Sequence, residues 1–168
     1  QWIGVPLILT SHTWENGKNQ QSHQDPTLGE ALLGEMSDVA RVIFAVDAAI
    51  GVEALRQIYA SRGVIGCVVA PKRATADVCT DTEARKAFET GVARIENDPG
   101  ASIQLVAIGA YQLAEARRAA GRLRAHGVGV NVTVILEPGR LRLPRDRFEE
   151  AFVVPDQVIR DLFPPGMA

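Results

Sequence analysis

Five short apolar runs, each rich in valine and isoleucine, recur along the chain and limit the folds that it can adopt. They are Trp2 to Leu9, Arg41 to Val46, Val64 to Ala70, Ile103 to Ile108 and Val128 to Leu136. Continuous apolar runs of this length, without alternation of apolar and polar residues, are typical of strands covered on both faces, as in parallel sheets. The sequence therefore predicts five buried strands.

Helical periodicity occupies the stretches between these runs. The predicted helices are one that begins at Asp25 and Pro26, then Ala48 to Ser61, Asp81 to Glu96, and Gln112 to His126. Each has apolar residues spaced to form one face, and the first has an N-cap residue followed by proline at the first helical position. The order β-α-β-α-β-α-β-α-β predicts an α/β protein with doubly wound, mostly parallel sheets.

Charge and composition exclude several classes of partner. The 168 residues carry 18 basic and 20 acidic side chains, a formal net charge of −2, so we expect no broad positive field and no nucleic-acid partner. The longest nearly uncharged stretches, such as Ser102 to Leu113, are shorter than the roughly 20 apolar residues of a membrane helix, and we expect no membrane partner. The two cysteines, Cys67 and Cys79, suit a reducing compartment, so we expect a cytoplasmic protein.

The polar segment Thr10 to Pro26 reads TSHTWENGKNQQSHQDP and contains two of the three histidines, His12 and His23. It follows a predicted strand and precedes a predicted helix, which is where α/β sheets bind ligands. So many hydrogen-bonding groups are costly to bury without partners. One alternative is a solvated turn with incidental histidines. Another is a metal site of His12, His23 and Asp25, but that spacing matches no zinc pattern.

Within this segment, Ser11-His12, Trp14, Asn19 and the run Ser22 to Pro26 occur in one characteristic register. In these residues the segment resembles the thiamine-diphosphate-dependent phosphoketolase and transketolase-like family. The similarity continues weakly through Val42 to Asp47, through Val64 to Lys72 and through the strand that ends at Gly109. The resemblance implies a thiamine-diphosphate-binding, transketolase-like α/β architecture that is incomplete in this chain.

The resemblance also implies a domain organisation. Residues 1–78 correspond to the C-terminal part of a pyrimidine-binding domain, 79–100 to a linker helix and loop, and 101–168 to the start of a transketolase C-terminal-like domain. The chain begins with neither Met nor the basic segment of a signal peptide, so we expect a fragment. It contains neither GDG nor GxGxxG. We therefore expect thiamine diphosphate and Mg²⁺ to be bound mainly by a domain or subunit absent from this chain, in a dimer.

The same resemblance assigns roles to five residues. His12 and His23 are the expected catalytic residues, because imidazoles titrate near neutrality and can hydrogen-bond substrate hydroxyls and move protons. Lys18, Asn19 and Lys72 are expected to bind the substrate and its phosphate. Lys18 stands where phosphoketolases usually carry His. An ammonium with a pKa of about 10.4 is a poor proton shuttle at pH 7 but a good charge for phosphate.

These roles imply part of a thiamine-diphosphate-dependent enzyme that cleaves the C2–C3 bond of ketose phosphates. The reaction is either phosphoketolase-like, with inorganic phosphate as second substrate, or a transketolase-like ketol transfer, because Lys18 leaves the outcome open. The alternative is a non-catalytic α/β subunit or a regulatory phosphate-binding module derived from that family. A run with four arginines, Arg140 to Arg147, could contact phosphate, pair with acidic residues of missing domains, or be solvated.

Overall fold

A computed structural model of the chain describes residues 7–10 and 39–168. Its strands are β1 (Leu7–Thr10), β2 (Ala40–Phe44), β3 (Ile65–Val69), β4 (Val92–Glu96), β5 (Ile103–Ile108) and β6 (Val130–Ile135). Its α-helices are α1 (Ala48–Ala60), α2 (Asp81–Thr90), α3 (Ala110–Ala125), α4 (Arg147–Glu150) and α5 (Asp156–Leu162), with a 3₁₀ helix at Pro138–Arg140. The helix predicted to begin at Asp25 and Pro26 lies outside the described residues. Within them, no helix is both long and apolar enough to cross a membrane.

The first sheet consists of β1, β3 and β2 in that order, and all three strands are parallel. Helix α1 connects β2 to β3 and is capped by Asp47, whose Oδ1 accepts a hydrogen bond from the Ile50 N–H at 2.9 Å. Ile50, Ala54 and Ile58 form the fully buried face of α1. A glycine allows this helix to pack closely, because a Cβ at Gly66 of β3 would lie 2.6 Å from the Ile58 side chain.

The second sheet consists of β4, β6 and β5 in that order; β6 is parallel to β5 and antiparallel to β4. Helix α3 connects β5 to β6. Val130, Val132 and Val134 of β6 are fully buried and belong to the same hydrophobic cluster as Ile43 of the first sheet. The two sheets therefore share a core. The predicted α/β fold with mostly parallel sheets is confirmed.

The prediction of a single helix from Asp81 to Glu96 was wrong. Helix α2 ends at Thr90, and Gly91 follows with a φ of 76°, which is the left-handed conformation that glycine adopts readily. Residues 92–96 then form β4, which pairs antiparallel with β6. Val92 and Ile95 fit helical spacing, but the pairing with a distant strand determines their conformation. The predicted domain boundaries near residues 78 and 100 stay predictions. Strand β4 lies within the predicted linker 79–100, and it belongs to the second sheet.

Candidate functional site

The carboxyl ends of the first sheet's strands meet at one edge. Thr10 at the end of β1 pairs with Val69 at the end of β3, and Val69 also pairs with Phe44 at the end of β2. The segment predicted to carry the site begins directly after Thr10. Its residues His12, Lys18, Asn19 and His23 lie outside the described residues, so their predicted roles stay predictions.

Lys72 is the one predicted site residue that the structure describes. It is exposed and lies three positions after the end of β3. Since parallel strands end at a common edge, β1, which precedes the predicted segment, and β3, which precedes Lys72, end on the same side of the sheet. The described residues that precede the two predicted parts of the site, Thr10 and Val69, are paired.

The segment 71–80, which we call the 71–80 loop, is held by a side chain that sequence analysis did not select. Oδ2 of Asp47 accepts hydrogen bonds from the N–H groups of Val78 at 2.9 Å and Cys79 at 2.8 Å. Asp47 is only 5% exposed. In addition, the Thr75 hydroxyl donates to the Val46 carbonyl at 3.0 Å. The loop that carries Lys72 is thus anchored to the start of α1.

A signal for this anchor was present in the sequence. Asp47 directly precedes the apolar helical pattern of residues 48–61, which is the usual position of an N-cap aspartate. The cap could therefore be predicted from local pattern. Its second oxygen bonds residues more than 30 positions away, and no local pattern reports such a contact.

Cys79 lies in the 71–80 loop but is poorly suited to act as a nucleophile. Burial, with the negative charges of Asp47 and Glu83, raises the pKa of Cys79 to about 11. The thiolate is the reactive form of cysteine, so at neutral pH this side chain is almost entirely the unreactive thiol.

A cleft of about 250 Å³ separates the 71–80 loop from α3. Its lining includes Val46, Thr75 and Val78 on one side, and Tyr111, Leu113 and Arg117 on the other. The Nε of Arg117 donates to Oε1 of Glu96 at 2.7 Å, which directs this cation toward the second sheet. The cleft is smaller than the 300–1,000 Å³ typical of ligand pockets.

Metal-ligating side chains do not cluster in the described part of the chain. Among residues 7–10 and 39–168, no group of three or more His, Cys, Asp or Glu side chains could hold a metal ion.

The arginines of the run from Arg140 to Arg147 are largely engaged within the chain. Arg140 donates to the Phe88 carbonyl at 2.6 Å and to the Phe152 carbonyl at 3.2 Å. Arg142 and Arg145 both donate to Glu149, at 2.5 Å and 2.8 Å, and these bonds hold the pKa of that carboxyl well below its usual range. These hydrogen bonds account for the positions of Arg140, Arg142 and Arg145 without a phosphate ligand.

Comparison with known proteins identifies relatives among enzymes. The model of the family described as D-xylulose 5-phosphate/D-fructose 6-phosphate phosphoketolase matches residues 1–61. A probable phosphoketolase from Bifidobacterium animalis subsp. lactis is 26% identical over 95% of this chain and 20% of its own length. Another from Streptomyces avermitilis is 30% identical over 83% of this chain and 18% of its own length. The chain thus spans about a fifth of the length of these relatives.

Solved structures with a similar fold are transketolases. A transketolase variant from Pichia stipitis has a TM-score of 0.65 and 15% identity, and covers 89% of this chain and 21% of its own length. Transketolase from Leishmania mexicana has a TM-score of 0.63 and 18% identity, over 84% of this chain and 19% of its own length. The inactive beta4 tetramer of a split-gene transketolase has a TM-score of 0.54 and 22% identity, over 78% of this chain and 39% of its own length.

The sequence matches and the shared fold agree with the motif in residues 11–26. Together they identify the chain as a relative of the thiamine-diphosphate-dependent phosphoketolase and transketolase-like family.

Proposed function

We propose that this chain supplies one wall of the active site of a thiamine-diphosphate-dependent enzyme that acts at the C2–C3 bond of ketose phosphates. The observation that carries the proposal is the pairing of Thr10 with Val69. Thr10 directly precedes the segment containing His12 and His23, and Val69 lies three residues before Lys72. The phosphoketolase family match covers that segment, since it extends over residues 1–61.

In this site His12 and His23 hydrogen-bond substrate hydroxyls and move protons, because imidazole changes charge near neutral pH. Lys18, Asn19 and Lys72 bind the phosphate and adjacent oxygens of the substrate. A lysine on an exposed loop at the carboxyl edge of a parallel sheet is well placed for an anion. Anchoring of the 71–80 loop by Asp47 supports this role, since it restricts where Lys72 can lie.

The other wall belongs to a diphosphate-binding domain in a longer polypeptide or in a second subunit, within a cytoplasmic dimer. That domain holds thiamine diphosphate and Mg²⁺ in this proposal. In this arrangement, residues 1–78 complete a pyrimidine-binding domain, 79–100 form a linker and 101–168 begin the C-terminal domain. The fold shared with a split-gene transketolase supports a division between subunits.

Lys18 decides between the two reactions in this proposal. Phosphoketolase chemistry uses inorganic phosphate to release a two-carbon acyl phosphate, and the family's usual His at this position can move protons. Lysine at neutral pH keeps its proton. The expected reaction with Lys18 is therefore ketol transfer, and Lys18→His is expected to add phosphate-dependent acetyl phosphate release.

A matched pair of variants tests the proposal in the longer polypeptide or complex that contains this chain and a diphosphate-binding domain. Lys72→Gln is expected to raise the KM for xylulose 5-phosphate by about tenfold to a hundredfold, the effect of losing a charge-assisted hydrogen bond. The adjacent exposed Arg73→Gln is the control and is expected to leave KM unchanged. Equal KM values for both variants and the parent would exclude a phosphate-binding role for Lys72.

The second candidate is a non-catalytic subunit or regulatory phosphate-binding module, which the replacement of the family's His by Lys18 favours. The two candidates differ in cofactor binding. When the chain is combined with a diphosphate-binding domain, the enzyme proposal expects thiamine diphosphate to bind and to quench the fluorescence of Trp14. Absence of binding in the assembled complex would favour the non-catalytic module.

A further inference from the structure

Two consecutive residues between β2 and α1, Ala45 and Val46, hold both ends of the stretch that carries Lys72. The Ala45 N–H donates to the Val69 carbonyl at 2.9 Å, at the end of β3. The Val46 carbonyl accepts from the Thr75 hydroxyl at 3.0 Å. Val69 and Thr75 each lie three positions from Lys72. Lys72 is therefore at the middle of a short stretch whose two ends are bonded to neighbouring residues.

Asp47, the next residue, bonds the far end of the 71–80 loop. Its Oδ2 accepts from the N–H groups of Val78 at 2.9 Å and Cys79 at 2.8 Å, while its Oδ1 accepts from the Ile50 N–H at 2.9 Å. One carboxylate thus joins the loop to the first turn of α1. Hydrogen bonds to a charged group are stronger than neutral ones, and burial of Asp47 strengthens them further.

Packing restrains this loop less than its hydrogen bonds do. Five of the six residues 72–77 are exposed. A cleft of about 250 Å³ separates the loop from α3, with Thr75 and Val78 on one side and Tyr111 and Leu113 on the other. A segment with few buried contacts opens easily. The bonds to Val46 and Asp47 are therefore the main described restraint on the loop.

We propose that Asp47 is a positioning residue for phosphate binding, because its bonds to the 71–80 loop hold the backbone of Lys72 where the ammonium meets the substrate's phosphate. The inference rests on the proposed phosphate-binding role of Lys72. A lysine ammonium is a point charge on a flexible stem of four carbons. Fixing the backbone in advance reduces the conformational entropy that is lost when the anion binds. Asp47 acts through Lys72 and does not contact the substrate.

Asp47→Ser tests this role in the longer polypeptide or complex that contains this chain and a diphosphate-binding domain. Serine is as good an N-cap residue as aspartate, so the cap of α1 is retained. Its one side-chain oxygen cannot serve both the Ile50 amide and the amides of Val78 and Cys79.

Two further variants accompany it. Thr75→Val has nearly the same shape but cannot donate to the Val46 carbonyl. Gly127→Ala is the control for a general loss of stability, because it strains a left-handed residue just beyond α3, where the added Cβ meets nothing within 4 Å.

We expect Asp47→Ser to raise the KM for xylulose 5-phosphate by about threefold to tenfold, the effect of losing one or two hydrogen bonds. The value of kcat should change little, as when binding common to the ground state and the transition state is lost. In a Lys72→Gln background, Asp47→Ser should cause no further rise in KM, because the two residues act as one unit. Thr75→Val should also raise KM, and Gly127→Ala should leave it unchanged.

Hydrogen exchange tests the loop without using activity. Mass spectrometry of peptides that cover residues 71–80 should show about fivefold faster exchange or more in Asp47→Ser, because two amides lose their acceptor. Gly127→Ala should leave exchange in these peptides as it is in the parent.

The outcomes separate this inference from the proposed function. An equal rise in KM from Asp47→Ser with and without Lys72→Gln would mean that Asp47 does not act through Lys72, and would overturn the inference. Unchanged exchange of residues 71–80 in Asp47→Ser would overturn it as well. A rise in KM for Lys72→Gln but not for Asp47→Ser would reject the inference alone. An unchanged KM for Lys72→Gln would overturn both.

Discussion

Arg41 of β2 and Glu137, two residues beyond β6, join the two sheets through a pair of parallel hydrogen bonds. The Nε of Arg41 donates to Oε1 of Glu137 at 2.7 Å, and its Nη2 donates to Oε2 at 2.9 Å. The Glu137 side chain is 1% exposed and that of Arg41 is 16% exposed. The hydrogen bond to Glu137 raises the pKa of Arg41. Nearby, the Phe44 N–H donates to the Leu136 carbonyl at 2.7 Å.

Removing one partner of this pair should destabilise the chain strongly. Glu137→Gln leaves the Arg41 guanidinium without a counter-charge, and we expect a loss of about 3 kcal/mol in the free energy of unfolding, measured by urea denaturation. The control is Glu115→Gln, which breaks the exposed pair between Glu115 and Arg118 and should cost less than about 1 kcal/mol. Equal losses in the free energy of unfolding of the two variants would mean that the Arg41–Glu137 pair does not stabilise the contact between the sheets.

Two glycines with the same backbone conformation should respond differently to alanine. Gly91 and Gly127 have φ values of 76° and 78°, so Ala at either position adopts an unfavourable left-handed conformation. A Cβ at Gly91 would lie 3.1 Å from the Glu137 Cβ, whereas one at Gly127 meets nothing within 4 Å. We expect Gly127→Ala to cost about 1 kcal/mol and Gly91→Ala to cost about 1 to 3 kcal/mol more. Thermal unfolding of both variants checks the order, and a larger loss for Gly127→Ala would contradict it.

Alkylation of Cys79 should be slow and should depend on Asp47. With a pKa of about 11 against the ordinary 9.0, its thiolate fraction at pH 8 is about a hundredfold smaller than that of an ordinary thiol. Asp47→Asn removes a negative charge that raises the pKa, so it should speed alkylation by iodoacetamide. The measurement uses a Cys67→Ser background, in which Cys79 is the one thiol. An unchanged rate in Asp47→Asn would show that Asp47 does not influence this thiol.

Acid should weaken the segment that Glu149 organises. Hydrogen bonds from Arg142 and Arg145 lower the pKa of Glu149 in the folded chain, whereas in the unfolded chain it is about 4.3. The stabilisation is therefore complete above about pH 4.3 and is lost as the pH falls toward the folded value. We expect stability to fall less steeply below that pH in Glu149→Gln than in the parent. The comparison is urea denaturation at pH 6, 4 and 3, and parallel curves would refute the assignment.

The alternation of strands and helices was predictable because continuous apolar runs and helical spacing are local properties. Helix α1 illustrates this, since its buried Ile50, Ala54 and Ile58 recur at helical spacing. Strand β4 was not predictable in the same way. Val92 and Ile95 satisfy the helical spacing of the preceding residues, and their strand conformation depends on pairing with β6, about 40 residues later.

The position of the candidate site could be predicted from the sequence. The hydrogen bonds that hold the 71–80 loop in place could not. The motif around His12 and His23 follows a strand, and Lys72 follows another, so a common sheet edge could be expected for both. The second oxygen of Asp47, which anchors the 71–80 loop, bonds backbone groups that any residue possesses. No side-chain pattern marks such partners, and only the folded chain brings them together.

In both sheets the middle position belongs to the strand that the ribosome produces last of the three, β3 in one and β6 in the other. Among the described strands, the two outer ones of each sheet therefore leave the ribosome before the strand that pairs with both of them. Strand pairing across such sequence separations is intrinsically slow and leaves apolar surface exposed to other chains. The apolar faces of the described outer strands thus stay without this partner until residues 69 and 135 have been made.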